Sequence, residues 1–354
     1  MGKVTVGTSV DQSVAVGTQI STGVVFALGV TLLSAYLMSG FSFFTSGNQA
    51  MGQSSVVPEQ ALRFVRSWGT MGSANSQFSG PYGAGVDMNG RVFVADTWNN
   101  RIQKFSSAGS FLLSVGSQGS GEGQVNMPMG VAVDGRGNIF VADDMNHRIE
   151  KFTSSGTFVL SWGTQGSGTG QFSYPHGLDT DTSGNVYVAD SGNHRIQKFD
   201  GNGIFIASWG SYGSGDTQFS FPTDLATTAD GVLYVIDPGN NRVEKYSTTG
   251  TFLLKWGVYG SSDGQFFNPT GIAADGQSNV FVADNGNNRI QKFTSSGAFI
   301  LTWGSLGDAL GQFYGPYGIT VGANGLISVV DSGNNRVQQF AQRLVPTISD
   351  TPQE

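Results

Sequence analysis

Residues Phe93–Phe105 read FVADTWNNRIQKF: a short apolar run closed by an Asp, a polar turn containing Asn, then Arg-Ile-Gln-Lys-Phe. The phrase returns as FVADDMNHRIEKF from 140, YVADSGNHRIQKF from 187, YVIDPGNNRVEKY from 234, FVADNGNNRIQKF from 281 and, more weakly, SVVDSGNNRVQQF from 328. Its Asp falls at Asp96, Asp143, Asp190, Asp237, Asp284 and Asp331, so every interval is 47 residues. Its Arg keeps the same phase at Arg101, Arg148, Arg195, Arg242, Arg289 and Arg336. Six copies on one period specify a repeat architecture, in which each unit buries its apolar faces only against its neighbours.

Each unit holds four apolar runs. In the second they are Val131–Asp134, Ile139–Asp143, Arg148–Phe152 and Phe158–Trp162, with Gly-Arg-Gly-Asn and Ser-Ser-Gly-Thr as hairpin turns. Four antiparallel strands of about five residues, plus turns, make one propeller blade, and six blades lie within the usual range of about four to eight. The ends carry the same phase. Phe64–Gly69 aligns with the fourth strand of every unit, at Phe111–Gly116 and onward, whereas the chain after Phe340 supplies no fourth strand. The N-terminal strand is therefore expected to complete the last blade, a closure that removes free sheet edges.

The pattern D-x-x-N-x-R-[IV]-Q-K-F, preceded by P-x-G-[IVL]-A-x-D and followed by G-x-F-x-x-x-W-G, resembles the NHL repeat over about 62–340. The resemblance implies an all-β, six-bladed propeller. Members of that family include RNA-binding propellers, protein-interaction modules and a zinc-dependent amidating lyase, so the fold leaves function open.

Composition narrows the options. Among 354 residues there are 53 Gly and no Cys, which suits short strands and tight turns and excludes disulfides and thiol chemistry. Net charge is −7, and 11 of the 18 Lys and Arg belong to the repeated phrase. Few cations remain for a basic patch, and the crossovers carry Glu122, Asp216, Asp263 and Asp308 instead. Nucleic acid is not an expected partner.

Ahead of the repeats, residues 1–22 form a polar segment, and residues 23–44 (GVVFALGVTLLSAYLMSGFSFF) run without an ionisable acid or base. As a helix that run would span roughly 33 Å, enough to cross a bilayer core. It reads as one uncleaved transmembrane anchor, the alternative being cleavage within 45–50. Residues 45–60 read as a flexible linker, 61–340 as the propeller and 341–354 as a polar tail. Flanking charges orient the span poorly. The acidic, Cys-free, Gly/Ser-rich body points to a single-pass membrane protein with its propeller outside the cytoplasm.

A residue required in every blade serves the blade, so the repeated Asp and Arg read as structural: Asp accepts turn N–H groups and Arg bridges to a carboxylate or carbonyl. Function is sought where one copy departs from its siblings. The crossover position between Pro and Gly is Tyr82, Met129, His176, Thr223, Thr270 and Tyr317, and should ring the channel mouth. His176, Asp179 and Asp224 are polar exceptions on adjacent blades and make a candidate site for a divalent cation, calcium or zinc. A three-His zinc site is not available, because His147 and His194 sit at turn positions and read as surface residues. Trp98 stands where siblings have Met or Gly, and with Tyr82 and Tyr317 it is expected to form an apolar patch for a partner protein.

Two functions follow. The first is a membrane-anchored, extracytoplasmic interaction or scaffold module, an accessory subunit of a membrane complex, with no catalytic residues. It is preferred because no copy carries an inserted loop of the kind that lids an active site. The second is a metal-dependent lyase or hydrolase acting on a small molecule at the channel mouth.

Overall fold

The structure, a computed structural model, describes residues 62–342. The polar segment 1–22, the apolar run 23–44 and with it the membrane anchor, the expected linker 45–60, and residues 343–354 of the tail lie outside the described residues. Among the described residues no helix is long and apolar enough to cross a membrane.

Six four-stranded antiparallel sheets follow one another along the chain. Blade 1 comprises Ala84–Val86, Val92–Asp96, Arg101–Phe105 and Phe111–Val115. Blades 2 to 5 repeat the pattern from Pro128, Pro175, Leu225 and Pro269. Blade 6 takes three strands from Pro316–Gln342 and its fourth from Leu62–Trp68, in the order that closes the ring. The closing register runs from Leu62 opposite Gln342 to Trp68 opposite Val337.

The core lies between blades. Phe93, Ala95 and Ile102 of blade 1 pack with Val131, Val141 and Phe152 of blade 2, and the same arrangement recurs between blades 5 and 6. A second strand is therefore covered on both faces, which is why Val92–Asp96 is buried at every position and reads as an unbroken apolar run. The outer strand Phe158–Trp162 instead alternates between half-buried and exposed. Lysines of the third strands fasten neighbours: Lys104 Nζ donates to Ser154 O of the next blade at 2.9 Å while lying 5.1 Å from the Phe93 ring centroid.

Around the axis the first strands nearly touch. Gly83 N–H donates to Met129 O of the next blade at 3.0 Å. A Cβ at Gly130 would stand 2.5 Å from His176 O, and one at Gly271 would be closer still to Tyr317 O. Glycine is needed on this row because backbone meets backbone there.

Candidate functional site

The D-x-x-N-x-R turn is one turn of 3-10 helix, Thr97–Asn99 in blade 1, followed by a left-handed residue. That residue is Asn100, His147, His194, Asn241, Asn288 or Asn335, with φ between 50° and 55°. Asn and His tolerate this region better than most side chains. Asp96 Oδ1 accepts the Ser79 N–H at 2.8 Å and its Oδ2 accepts Arg101 Nε at 2.7 Å, with no solvent exposure. Asn99 donates to Gly72 O and Arg101 Nη2 to Ala74 O and Gln77 O. The phrase thus binds each crossover loop to its own turn, and the blade-2 set, Asp143, Asn146 and Arg148, does the same.

A second ring of bonds joins blade to blade, and sequence reasoning missed it. Asn100 Oδ1 accepts the Met127 N–H of the next crossover at 2.8 Å, and Asn335 Oδ1 accepts the Gly80 N–H across the closing seam at 3.0 Å. His147 Nδ1 and His194 Nδ1 take the same place, accepting from Tyr174 N and Phe221 N at 3.1 Å. The signal was available: four siblings carry Asn there, and an unprotonated imidazole nitrogen can replace an amide oxygen as acceptor. Burial lowers the His194 pKa, in keeping with an acceptor role.

At the mouth, Tyr82 and Tyr317 meet edge to face with ring centroids 4.4 Å apart. Tyr317 Oη lies 3.5 Å from Nδ1 of His176, which comes from the opposite blade. These three side chains span the mouth. Of the residues expected in an apolar patch, Tyr82 and Tyr317 are half-buried against each other, with Tyr317 lining the channel beside His176. Trp98 is 63% exposed and lies over Gly80, whose Cβ would stand 3.1 Å from the indole.

Below the mouth is a chamber of about 240 Å³ lined by Asp179, Asp224, Thr180, Thr227 and Thr320 among apolar residues. Asp179 Oδ2 accepts Thr227 N at 2.7 Å and Thr227 Oγ1 at 2.9 Å, in the next blade. Asp224 replaces the axial glycine of blade 4 and its Oδ2 accepts Ile272 N of blade 5 at 3.1 Å. Both carboxylates are thus drawn towards the following blade, while His176 faces Tyr317. Among the described residues no three His, Cys, Asp or Glu side chains come together as a metal would require. The three-ligand set of His176, Asp179 and Asp224 is not assembled.

Burial pushes Asp224 up to about 8, with the Asp179 charge adding to the rise, and burial lowers His176 to about 4. Near neutral pH the channel therefore holds a protonated carboxyl in the chamber and a neutral imidazole at the mouth. Such a pair can donate and accept protons, the pattern from which acid–base sites are made.

In an up-and-down blade the D-x-x-N-x-R turn and the crossover lie at the same end, so together they form one face of the ring, the loop face. Exposed rings elsewhere on it outnumber those expected. Tyr212, Tyr259 and Tyr314 are 68%, 69% and 58% exposed, on three successive crossovers. His194 stacks against Tyr212 and Phe221 at 4.8 and 4.4 Å, and Tyr259 against Phe267 at 5.6 Å.

The family model described as the NHL repeat matches residues 78–105, 172–199, 266–293 and 313–340. The blades without a match, 2 and 4, are those that carry Glu150 and Glu244 where the others have Gln. No curated protein matches the chain. Among solved structures, a streptogramin B lyase is similar at 16% identity, with a TM-score of 0.56 over 80% of this chain and 98% of that one. A gluconolactonase from Xanthomonas campestris is 12% identical, with a TM-score of 0.58 over 81% and 99% of the two chains. A chain of a nidogen/laminin complex is 20% identical, with a TM-score of 0.52 over 70% and 87%. At such identities the likeness carries the fold alone. The chain is a six-bladed β-propeller containing four NHL repeats.

Proposed function

We propose that this protein is a membrane-tethered interaction module. Its ring is a rigid platform outside the cytoplasm, residues 23–44 hold it to the membrane, and its partners are other subunits of a membrane complex. The observation that carries this reading is the loop face, where Trp98, Tyr212, Tyr259 and Tyr314 stand more than half exposed on a scaffold fastened beneath them. Exposed aromatic side chains on a rigid support are characteristic anchors of protein interfaces. The test is recovery of the full chain from gently solubilised native membranes. Stoichiometric membrane subunits should accompany it, and recovery only as a free monomer counts against the proposal.

A second reading, a lyase or hydrolase acting on a small molecule at the channel mouth, draws on the oppositely shifted Asp224 and His176. It calls for turnover of a small molecule that is lost on His176→Ala.

A further inference from the structure

The exposed rings are not scattered. From Tyr174 through Tyr212, Phe221, Tyr259 and Phe267 to Tyr314, they follow the crossovers into blades 3, 4, 5 and 6 along one side of the loop face. The corresponding positions in the crossovers into blades 1 and 2 hold Met71, Ser79 and Gly80, and Gln118, Asn126 and Met127, with no aromatic ring. Two members of the arc occupy strained backbone. Tyr174 and Phe221 have φ of 52° and 57°, at a position that is left-handed in every blade and where siblings place Gly80, Met127, Asn268 and Gly315. A bulky side chain in the left-handed region is an outlier, and residues of that kind cluster at functional sites. Phe267 and Tyr314 are seated individually, since a Cβ at Gly286 or Gly333 would stand 2.5 Å from their rings.

The charge on the arc that has no ion-pair partner is acidic. Asp263 and Asp308 are exposed beside the rings, and among the described residues no salt bridge reaches either. Asp216, 65% exposed at its side chain, meets Lys255 at 2.8 Å. The turn arginines that could offset these charges are held by their own Asp partners, Arg242 by Asp237 and Arg289 by Asp284. Exposed rings with carboxylates between them attract cations through both the ring face and the net field. The same field repels an acidic protein or an anionic bilayer.

We propose that this arc is the docking surface for a protein segment presenting Arg or Lys side chains alongside aliphatic ones. The proposal rests on the interaction reading above and names the partner's chemistry. Apolar side chains would lie between neighbouring rings, and cationic ends would reach Asp263 and Asp308.

The test uses the full chain in nanodiscs of zwitterionic lipid, with empty discs as blank. Two synthetic peptides of equal length, one alternating Arg with Leu and the other Glu with Leu, are titrated by fluorescence anisotropy. The Arg peptide should bind at least about tenfold more tightly, and more weakly as salt rises. Tyr212→Ser with Tyr259→Ser should weaken it about tenfold, and Asp263→Asn with Asp308→Asn should flatten the salt dependence. All four side chains are exposed, and an unchanged Tm shows that the fold persists. Equal binding of both peptides, an unaltered affinity in the tyrosine variant, or preferential binding of phosphatidylglycerol vesicles overturns the proposal. Membrane subunits that still accompany the tyrosine variant in full yield overturn the arc and leave the interaction module standing.

Discussion

Replacing Glu150 by Gln should stabilise the propeller, and only above the pH at which Glu150 ionises. In blades 1, 3, 5 and 6 the equivalent Gln donates its Nε2 to the blade Asp, as Gln197 does to Asp190 at 3.0 Å. In blade 2 the fully buried Glu150 meets Arg148 Nη2 at 2.9 Å but brings a second carboxylate towards Asp143. Burial pushes Glu150 from 4.5 up to about 7 against the pull of Arg148, the Asp143 charge adding to the rise. A raised acid binds more protons folded than unfolded, so its effect on stability is fully present below pH 4.5 and is lost as pH climbs to about 7. At about 1.4 kcal/mol for each pH unit, the ionised Glu150 costs roughly 3 kcal/mol above pH 7. Gln avoids that cost and supplies a donor to Asp143, while losing one contact to Arg148. The expected net gain at pH 8 is about 1–2 kcal/mol, a rise in Tm of a few degrees, falling to near zero at pH 5. Glu244→Gln is the internal control. Glu244 is raised only to about 6 and accepts a hydrogen bond from Tyr246, where blade 2 has Phe152, so its gain should be smaller. Thermal unfolding at the two pH values decides the matter. An effect of Glu150→Gln that is the same at both, or a loss of stability at pH 8, would refute the reasoning.

Three further outcomes follow from the same geometry. Asp190→Ala strips partners from the Ser173 N–H, Asn193, Arg195 and Gln197, and should cost about 3–5 kcal/mol in chemical denaturation. Gly130→Ala drives a Cβ to 2.5 Å from His176 O and should cost at least about 1–3 kcal/mol, lowering Tm at every pH. His194 is held below its ordinary pKa by burial, so it favours stability above that ordinary value and loses the contribution as pH falls. His194→Asn, which restores the siblings' acceptor, should therefore raise Tm at pH 5 and leave it nearly unchanged at pH 8.

Period and phase made the propeller legible. An unbroken 47-residue spacing defines the blades, and a fourth strand at Phe64 without its first three requires the closure seen between Leu62–Trp68 and Arg336–Gln342. The site was harder to read because a repeat position gives height along the axis without giving side-chain direction. Tyr82, Tyr317 and His176 were placed at the mouth, yet nothing in their spacing shows that the two tyrosine rings meet and that Tyr317 reaches His176. Asp179 and Asp224 were recognised as exceptions, but the N–H groups of Thr227 and Ile272 that hold them belong to the next blade. Comparing copies did identify Trp98. Extended to the rows of Met71, Ser79 and Gly80, it also exposes Tyr212, Tyr259, Phe221 and Tyr314, since these rings stand where other copies have Met, Leu, Gln, Ser, Asn or Gly. Direct bonding by His147 and His194 was hidden by the view of turn residues as surface.

The claim that function resides on the loop face is tested most directly by site-specific photocrosslinking in native membranes. A crosslinker is placed at Tyr212 on that face or at Ser155, which is exposed in a hairpin turn on the opposite face. The account predicts a discrete protein adduct from position 212 and none from 155. Adducts from 155 alone, or equal capture from both, would contradict it.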